Sequence, residues 1–558
     1  MSPDDAQPTD APKPAGAGAP PAPPTKPMSV ARAAGIISAA TFLSRVMGLA
    51  REQVFAAQFG AGFAVDAFQV AFRVPNLLRD LFAEGAMSAA FVPTLTKAQQ
   101  EGGPEAAMRL ANLVINFLLI VVSGLCLVGI VTAPWIVRLL APGFGDIPGK
   151  LALTTLMTQI MTPFLLLVSV AAAVMGVLNT RRIFFIPAVA PVLFNLGLIV
   201  SGFVVAPLMP RFGLEPIVGM AFGALLGGLG QLAIQLPALS AQGFRWRPIV
   251  SFRDPGVLRV ATLMAPASIG IAAAQVNVFT STFLASTLRE GSVSWLNYAY
   301  RLMQLPIGLF GVAIATVTLA EVSRHAAARN MTDLKATLGL SLRLVLFLTL
   351  PATLLLVALA GPIVALLYQH GRFTPADTVQ TAHALWAYAI GLAAFSAVRV
   401  MVPAFYSLGM ARVPVTISMI TIGVTVGLYF ALMGPLQHAG LALATSIGSI
   451  LNFMMLFYAL RQKLGNMGGR MLAASGARIL VASALSAGAG WSAATLVERS
   501  GVGGAGGTGL LGRALVVAAG MAAATVVYLA AAMVLKIPEV KSVSDTLSRV
   551  FGRGKERG

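Results

Sequence analysis

Charged side chains lie inside three otherwise apolar stretches of this chain. One charge at the centre of a bilayer costs about 2.5–3.5 kcal/mol, so such residues usually face water or a polar partner. Guanidinium groups are of special interest because their planar fork of donors grips phosphate in bidentate fashion. The first stretch (33–59) contains Arg45, Arg51 and Glu52, the second (64–95) contains Asp66, Arg73, Arg79, Asp80 and Glu84, and the third (292–321) contains Asn297, Arg301 and Gln304.

The spacing of these residues puts many of them on shared helix faces. At about 100° per residue, the residues at 66, 73, 80 and 84 fall within roughly 40° of one another. Arg45 and Glu52 share a face, and so do Asn297 and Gln304. A helix with one charged face indicates that the face lines a polar space or meets a polar partner.

Two interpretations of the charges remain open. In the first, structural ion pairs such as Arg45–Glu52 or Arg73–Asp80 fix the packing of the helices. In the second, the helices enclose a polar central cavity with surplus positive charge, which suits an anionic headgroup. We favour the second because the segment SVSWLNYAYRLMQLPIGLFG, which contains Arg301, has no acidic residue.

The sequence offers no constellation for enzyme chemistry. It contains no GxxxxGK[ST] loop for ATP, and its four histidines are dispersed without HExxH or Cys/His ligand spacing. We therefore expect neither ATP hydrolysis nor a metal site. The single Cys126 lies in an apolar run, so there is no disulfide framework.

The composition requires a membrane protein. Of 558 residues, 57% are hydrophobic and only 11% are charged, whereas a soluble domain carries about 25% charged residues. This excludes a soluble enzyme, a disordered protein and a disulfide scaffold. The formal net charge of +19 would suggest nucleic acid in a soluble protein, but here it follows from basic loops on one side of the membrane, and we expect no nucleic-acid partner.

The apolar runs predict an all-α polytopic membrane protein with about 14 transmembrane helices. An internal repeat at an offset of 228 residues superposes Arg73 on Arg301, Pro134 on Pro362 and Gly143 on Gly371. Because the offset joins span two to eight and three to nine, it predicts two six-helix lobes related by a parallel duplication, followed by two additional C-terminal helices.

The predicted domain boundaries follow from this repeat. They are a disordered Pro/Ala-rich extension (1–28), an N-lobe of helices one to six (29–240), a cytoplasmic interfacial linker (241–256), a C-lobe of helices seven to twelve (257–462), two additional helices (463–536) and a basic cytoplasmic tail (537–558).

The distribution of Lys and Arg over the loops predicts the orientation. One set of alternate loops and the C-terminal tail hold most of the basic residues, whereas the other set holds few, among them Lys150, Arg289 and Arg372. The positive-inside rule therefore predicts that both termini are cytoplasmic.

Several blocks of the sequence resemble the MurJ (MviN) family of lipid II flippases, within the multidrug/oligosaccharidyl-lipid/polysaccharide exporter superfamily. The resemblance extends from about residue 30 to 536 and is carried by FLSRVMGLARE, the long block FGAGFAVDAFQVAFRVPNLLRDLFAEGAMSAAFVPTL, APGF, GSVSWLNYAYRLMQLP and YQHGRFT. It implies a fourteen-helix protein of the bacterial inner membrane that moves the undecaprenyl-diphosphate-linked peptidoglycan precursor outward.

The resemblance also implies roles for individual residues. The family's cavity arginines correspond to Arg45, Arg51, Arg79 and Arg301, and its acidic positions in the VDAF and FAEG blocks to Asp66 and Glu84. Supporting roles in the cavity or gate are expected for Glu52, Arg73, Asp80, Asn297 and Gln304. The chain has Arg79-Asp80 where many relatives have two arginines, and Glu52 where Asp is commoner.

The resemblance further implies how transport is driven and what the protein contacts. We expect alternating access driven by the membrane potential, with lipid II as substrate and membrane lipids and cell-wall synthesis proteins as partners. The last two helices are expected to form a groove for the lipid tail. A sodium site of the kind that some relatives have stays in doubt, because spans seven and eleven contain no acidic residue.

Other functions stay open at this point. One is flipping of another polyprenyl-diphosphate-linked oligosaccharide, and another is a non-transporting membrane scaffold for cell-wall synthesis. A cation-coupled drug exporter is disfavoured because its cavity should be acidic.

Overall fold

The computed structural model describes residues 30–79, 86–465, 468–500 and 509–540. The predicted extension (1–28), Asp80 and Glu84 lie outside the described residues. So does all of the predicted tail beyond Val540.

The described residues form α-helices and no strand. The α-helices are α1 (Val30–Phe59), α2 (Phe63–Arg79), α3 (Ala86–Leu140), α4 (Lys150–Met161), α5 (Phe164–Thr180), α6 (Phe185–Val204), α7 (Val218–Ala233), α8 (Leu236–Ala241), α9 (Pro255–Ser286), α10 (Ser292–Pro306), α11 (Val312–Ala327), α12 (Met331–Ala358), α13 (Ala360–Tyr368), α14 (Pro375–Ala389), α15 (Leu392–Ser407), α16 (Arg412–Leu464), α17 (Gly469–Arg499) and α18 (Leu510–Val534).

The length and apolarity of these helices confirm a polytopic membrane protein. Within the described ranges, nine helical stretches are long and apolar enough to cross a bilayer, or ten if α14 and α15, bent by 42°, form one span. Two very long helices each contain a break, at Gly103 in α3 and at Gln437 in α16. The count of about 14 spans stays a prediction.

Some predicted spans consist of two helical segments, and local chemistry explains the interruptions. The predicted span 292–321 is α10 and α11 joined by a π-helical turn at Ile307–Gly311, directly after Pro306. The missing N–H of proline and the wide π turn both disturb the regular ladder of hydrogen bonds. Such interruptions are common at functional sites.

Each half of the chain has its own apolar core. The larger buried cluster consists of residues between Phe55 and Met264. A second cluster consists mainly of residues between Leu284 and Ala444, joined by a few from α1 to α3. Helices α17 and α18 pack against each other and against α12 and α13 of the second half.

Two glycines make equivalent contacts between the halves. A Cβ on Gly143 would collide with the backbone of Ser286 and Thr287, and a Cβ on Gly371 would collide with the carbonyl of Ala57. Gly143 and Gly371 are separated by the repeat offset, and their partners lie at nearly equivalent positions. Reciprocal contacts of this kind are typical of two copies facing each other across a two-fold axis, so they support the parallel duplication.

The segment between α8 and α9 is extended and is held against α3. The Asn112 Nδ2 donates to the carbonyl of Arg245 (3.1 Å), and the Asn116 Nδ2 donates to the carbonyls of Arg247 (2.6 Å) and Ile249 (2.9 Å). These bonds satisfy backbone carbonyls that a non-helical segment would otherwise leave open.

Candidate functional site

A carboxylate on α1 lies between guanidinium groups from both halves of the chain. Glu52 Oε1 forms a salt bridge with the Arg51 guanidinium and another with Arg301 Nε of α10, 3.4 Å away. Arg51 and Glu52 are buried, whereas 48% of the Arg301 side chain is exposed. We call Arg51, Glu52 and Arg301 the arginine cluster.

An amide on a neighbouring helix fixes the position of Arg51. Arg51 Nη1 donates to Asn195 Oδ1 of α6 (3.1 Å), and Asn195 Nδ2 donates to the carbonyl of Ser44 on α1 (3.2 Å). Gly48 lies directly beside this amide, which allows α1 and α6 to approach closely. Asn195 was not predicted as a site residue, although a buried amide in an apolar span is a signal for such a role.

The arginine cluster has a surplus of positive charge. Two guanidinium groups face one carboxylate, whose second oxygen, Oε2, is buried without a hydrogen-bond partner among the described residues. Nearly half of the Arg301 side chain is exposed, so a ligand can reach it. The cluster can therefore bind a phosphate or carboxylate group through charge-assisted hydrogen bonds.

The ion pairing differs from the structural alternative derived from the sequence. That alternative paired Glu52 with Arg45, but among the described residues Glu52 pairs with Arg51 and Arg301. We also expected Arg301 to lack an acidic partner, because only its own helix was considered. The pairing across the two halves depends on the tertiary fold, which helix periodicity does not reveal.

The other predicted arginines lie at separate positions. Arg45 is exposed on α1, and its guanidinium lies against Gly308 in the π-helical turn, leaving no room there for a Cβ. Arg79 is partly exposed at the last residue of α2, and its membership of the arginine cluster stays a prediction. Arg73 lines a cavity in the second half.

The cavity beside Arg73 contains one of the predicted polar residues of α10. It has a volume of about 270 Å³ and is lined by Arg73, Asn297 and neutral polar side chains of α9 and α16. Gln304, on the same helix as Asn297, is half-buried. The second half thus has a polar recess close to the arginine cluster, since Asn297 and Arg301 are one helical turn apart.

A second cluster joins the halves at the end of the bundle where α2 and α10 begin. Asp66 accepts hydrogen bonds from the backbone N–H of Gly291 (2.9 Å) and from the N–H (2.8 Å) and hydroxyl (2.5 Å) of Ser294. Lys150 Nζ lies 2.9 Å from the same carboxylate. We call Asp66, Lys150, Gly291 and Ser294 the interlobe lock.

The charged groups of the interlobe lock are almost completely buried from solvent. Asp66 is 1% exposed and Lys150 is 0% exposed, and the ammonium lies 4.4 Å from the ring centre of Phe144. Asp66 also satisfies free N–H groups at the start of α10, where the helix dipole favours a negative charge. We assigned Lys150 to a loop, but it is the buried first residue of α4.

Further hydrogen bonds close the same end of the bundle. They join the loop between α1 and α2 to the second half: Phe63 N–H to Glu290 Oε1 (2.9 Å), Tyr298 Oη to the Gly60 carbonyl (3.0 Å), and Arg372 N–H to the Ala57 carbonyl (2.9 Å). With the interlobe lock, these contacts seal the two halves together at this end.

Within the described residues, no three His, Cys, Asp or Glu side chains are grouped so that they could hold a metal ion. The charged groups described above instead join the two halves to each other.

Two repeated helical halves, sealed at one end and carrying a cationic cluster at their interface, define a polytopic membrane transporter. A family model described as "Lipid II flippase MurJ" matches residues 55–505. The lipid II flippase MurJ of Burkholderia cenocepacia is 37% identical over 440 residues, covering 78% of this chain and 84% of that protein. A probable lipid II flippase MurJ of Vibrio cholerae is 37% identical over 432 residues, covering 76% and 82%. The chain therefore belongs to the MurJ family.

Solved structures show the same fold. "Lipid II flippase MurJ, inward closed conformation" superposes with a TM-score of 0.73 and 24% identity, over 90% of this chain and 99% of that one. An inward-facing multidrug resistance MATE family transporter of the MOP superfamily has a TM-score of 0.64 and 16% identity, over 78% and 98%. The chain is thus a multi-pass protein of the bacterial inner membrane and a transporter, not an enzyme.

Proposed function

We propose that this chain flips lipid II from the inner to the outer leaflet of the cytoplasmic membrane by alternating access. Membership of the MurJ family supports the substrate. The observation that carries the mechanism is the arginine cluster, in which one carboxylate holds guanidinium groups from both halves. A diphosphate suits two converging guanidinium groups, because each guanidinium can bind a phosphate in bidentate fashion.

In this mechanism Glu52 holds the cluster together until the substrate arrives. The diphosphate enters from the inner leaflet and takes up the donors of Arg51 and Arg301, while the polyprenyl tail stays in lipid. Arg45 and Arg79 add positive charge along the path. The bound anion removes the repulsion between the guanidinium groups, so the two halves can close around it, and closure depends on substrate.

Release then requires the sealed end to open. We assign that end to the periplasmic face and both termini to the cytoplasm, because the basic loops lie on the opposite side of the chain. Opening breaks the interlobe lock between Asp66 and α10. Outward movement of negative charge is favoured by about 2.3 kcal/mol per charge per 100 mV of inside-negative potential, so the membrane potential drives the step without ATP or sodium.

The lipid tail has a binding surface on the last two helices. Apolar side chains of α17 and α18 are exposed, among them Leu485, Trp491 and Val526. These side chains contact the polyprenyl tail during transport. Cell-wall synthesis proteins on either side of the membrane supply lipid II and consume it.

The experiment compares arginine variants in cells that depend on this protein. Arg51→Ala and Arg301→Ala are expected to abolish the appearance of lipid II at the outer face, and Arg211→Ala, at an exposed loop residue, serves as the matched control. Wild-type flipping in both cavity variants would overturn the proposal. Growth of those two variants with normal lipid II exposure would instead favour a scaffold. Rescue only of cells that lack a different polyprenyl-diphosphate flippase would favour another oligosaccharide.

A further inference from the structure

A cavity in the second half can hold a ligand group that the arginine cluster does not bind. It has a volume of about 270 Å³ and lies between α9, α10, α14, α15 and α16, with Arg73 of α2 at its side. Ligand pockets typically range from about 300 to 1,000 Å³, so this one suits a single ring rather than a whole headgroup.

Neutral hydrogen-bonding groups are arranged on the wall of this cavity. Tyr429 Oη donates to Asn277 Oδ1 (2.7 Å) and lies 2.9 Å from Thr445 Oγ1. These hydroxyl and amide groups can both donate and accept hydrogen bonds. Tyr429 fixes the positions of the other two side chains. A ligand rich in hydroxyl and amide groups matches such a wall.

Aromatic rings form another side of the cavity. Tyr300 and Tyr388 meet edge to face with ring centres 5.6 Å apart, and Tyr300 is 39% exposed. A tyrosine combines an apolar face with a polar tip, and a sugar ring combines apolar C–H faces with a rim of hydroxyl groups. The two chemistries are complementary.

The charge of the lining restricts the ligand further. Among the described residues that line the cavity, the charged one is Arg73. An acidic substituent on the ligand can accept charge-assisted hydrogen bonds from its guanidinium group. The lining therefore suits a polyhydroxylated ligand with a negative charge.

The position of the cavity connects it to the arginine cluster. Asn297 on its wall is four residues before Arg301, so the two lie on the same face of α10 about one turn apart. A group directly attached to a diphosphate on Arg51 and Arg301 can therefore reach into the cavity.

We propose that this cavity is a subsite for the sugar joined to the diphosphate, an N-acylated ring whose acidic substituent is bound by Arg73. The proposal rests on the proposed function, because the arginine cluster must hold the diphosphate beside it. Tyr429 acts as a positioning residue that keeps Asn277 and Thr445 in place, while Asn297, Tyr300 and Tyr388 contact the sugar.

The test is a titration of the full chain in lipid nanodiscs with two probes. One is undecaprenyl diphosphate without sugar, and the other is the same lipid carrying an N-acetylated sugar with an acidic peptide. Tyr429→Phe and Asn297→Ala are expected to weaken binding of the glycosylated probe about tenfold, with the bare diphosphate bound as tightly as before. Arg73→Gln should weaken the glycosylated probe but not a probe whose acid groups are amidated.

The outcomes separate this proposal from the proposed function. Unchanged affinity for the glycosylated probe in all three variants, or equal losses for both probes, would overturn the sugar subsite. Saturable sodium binding that Tyr429→Phe abolishes would do so as well. Failure of the proposed function would be seen in different variants: Arg51→Gln and Arg301→Gln would bind both probes as tightly as the parent does.

Discussion

Asp66 and Ser294 occupy equivalent positions in the two halves of the chain, and they bind each other. Their separation of 228 residues is the repeat offset, and Asp66 Oδ1 accepts from both the backbone N–H and the hydroxyl of Ser294. Equivalent residues of two copies can touch only where the symmetry axis passes between them. The interlobe lock thus lies on the pseudo-two-fold axis, where it joins equivalent parts of the two halves.

Removal of the charge of Asp66 should open the sealed end, which we propose faces the periplasm. Asp66→Asn leaves the buried ammonium of Lys150 uncompensated, and breaking a buried ion pair costs about 3–5 kcal/mol. In a Cys126→Ala background with Asn297→Cys as the reporter, the variant is expected to react about tenfold faster or more with an impermeant thiol reagent added outside. Asp146→Asn, an exposed acid at the same end of the bundle, should behave like the parent, and equal labelling of all three proteins would refute the role of the interlobe lock.

Two glycine substitutions should separate transport from stability. Gly308→Ala pushes against the flexible end of Arg45, whereas Gly143→Ala pushes against the backbone of Ser286 and Thr287. We expect Gly308→Ala to keep the thermal stability of the parent but to slow flipping by displacing the guanidinium group. Gly143→Ala should lower the free energy of unfolding by about 1–3 kcal/mol. The account of Arg45 fails if Gly308→Ala flips lipid II at the parent rate.

A buried ion pair should hold the last two helices on the second half. Glu539 is 1% exposed, accepts from Arg343 Nε of α12 (2.7 Å) and from the Ser475 hydroxyl of α17 (2.8 Å), and follows α18 directly. Glu539→Gln leaves Arg343 without its counter-charge and is expected to lower the melting temperature measured in nanodiscs, whereas Glu498→Gln, at an exposed acid, should not.

The double variant Arg343→Leu/Glu539→Leu tests the same pair in another way. Replacing both partners of a buried pair by apolar groups is often nearly neutral, so the double variant should recover most of the lost stability. A double variant less stable than Glu539→Gln would mean that the contacts of Arg343 and Glu539 are not mainly with each other.

The attachment of the extended linker to α3 should depend on Asn116. Asn116 accepts from Trp246 Nε1 (3.0 Å) and donates to two linker carbonyls. Asn116→Ala is expected to free the linker from α3 and to speed tryptic cleavage at Arg245 and Arg247 in inside-out vesicles. Gln242→Ala, at a partly exposed residue directly after α8, is the control, and equal cleavage rates would show that the asparagine does not hold the segment.

The sequence predicted the fold class, the internal repeat and the face of α2 that carries Asp66 and Arg73. Helix periodicity placed Asp66 and Arg73 on one face, and both contact the second half. This was possible because local spacing determines which residues share a face, and because a charge in an apolar stretch must find a polar partner.

The partners of these charges could not be predicted from spacing. Glu52 selects Arg51 and Arg301 rather than Arg45, and Asp66 selects Lys150 and the start of α10. The contacts of Glu52 with Arg301 and of Asp66 with α10 form only after the two halves have packed, and the Asp66–Lys150 pair joins distant parts of the first half. Lys150 was assigned to a loop because it lies between two apolar runs, and its burial depends on contacts with Asp66 and Phe144 that spacing does not reveal.

The central claim is that Arg51 and Arg301 together bind the diphosphate of the substrate. The most direct measurement is the affinity of the purified full chain in nanodiscs for lipid II, compared between the parent, Arg51→Gln, Arg301→Gln and the control Arg211→Gln. Loss of a charge-assisted contact is expected to weaken binding by about tenfold or more in each cluster variant, and binding to the parent should weaken as salt is raised. Parent-like affinity in both Arg51→Gln and Arg301→Gln would contradict the account.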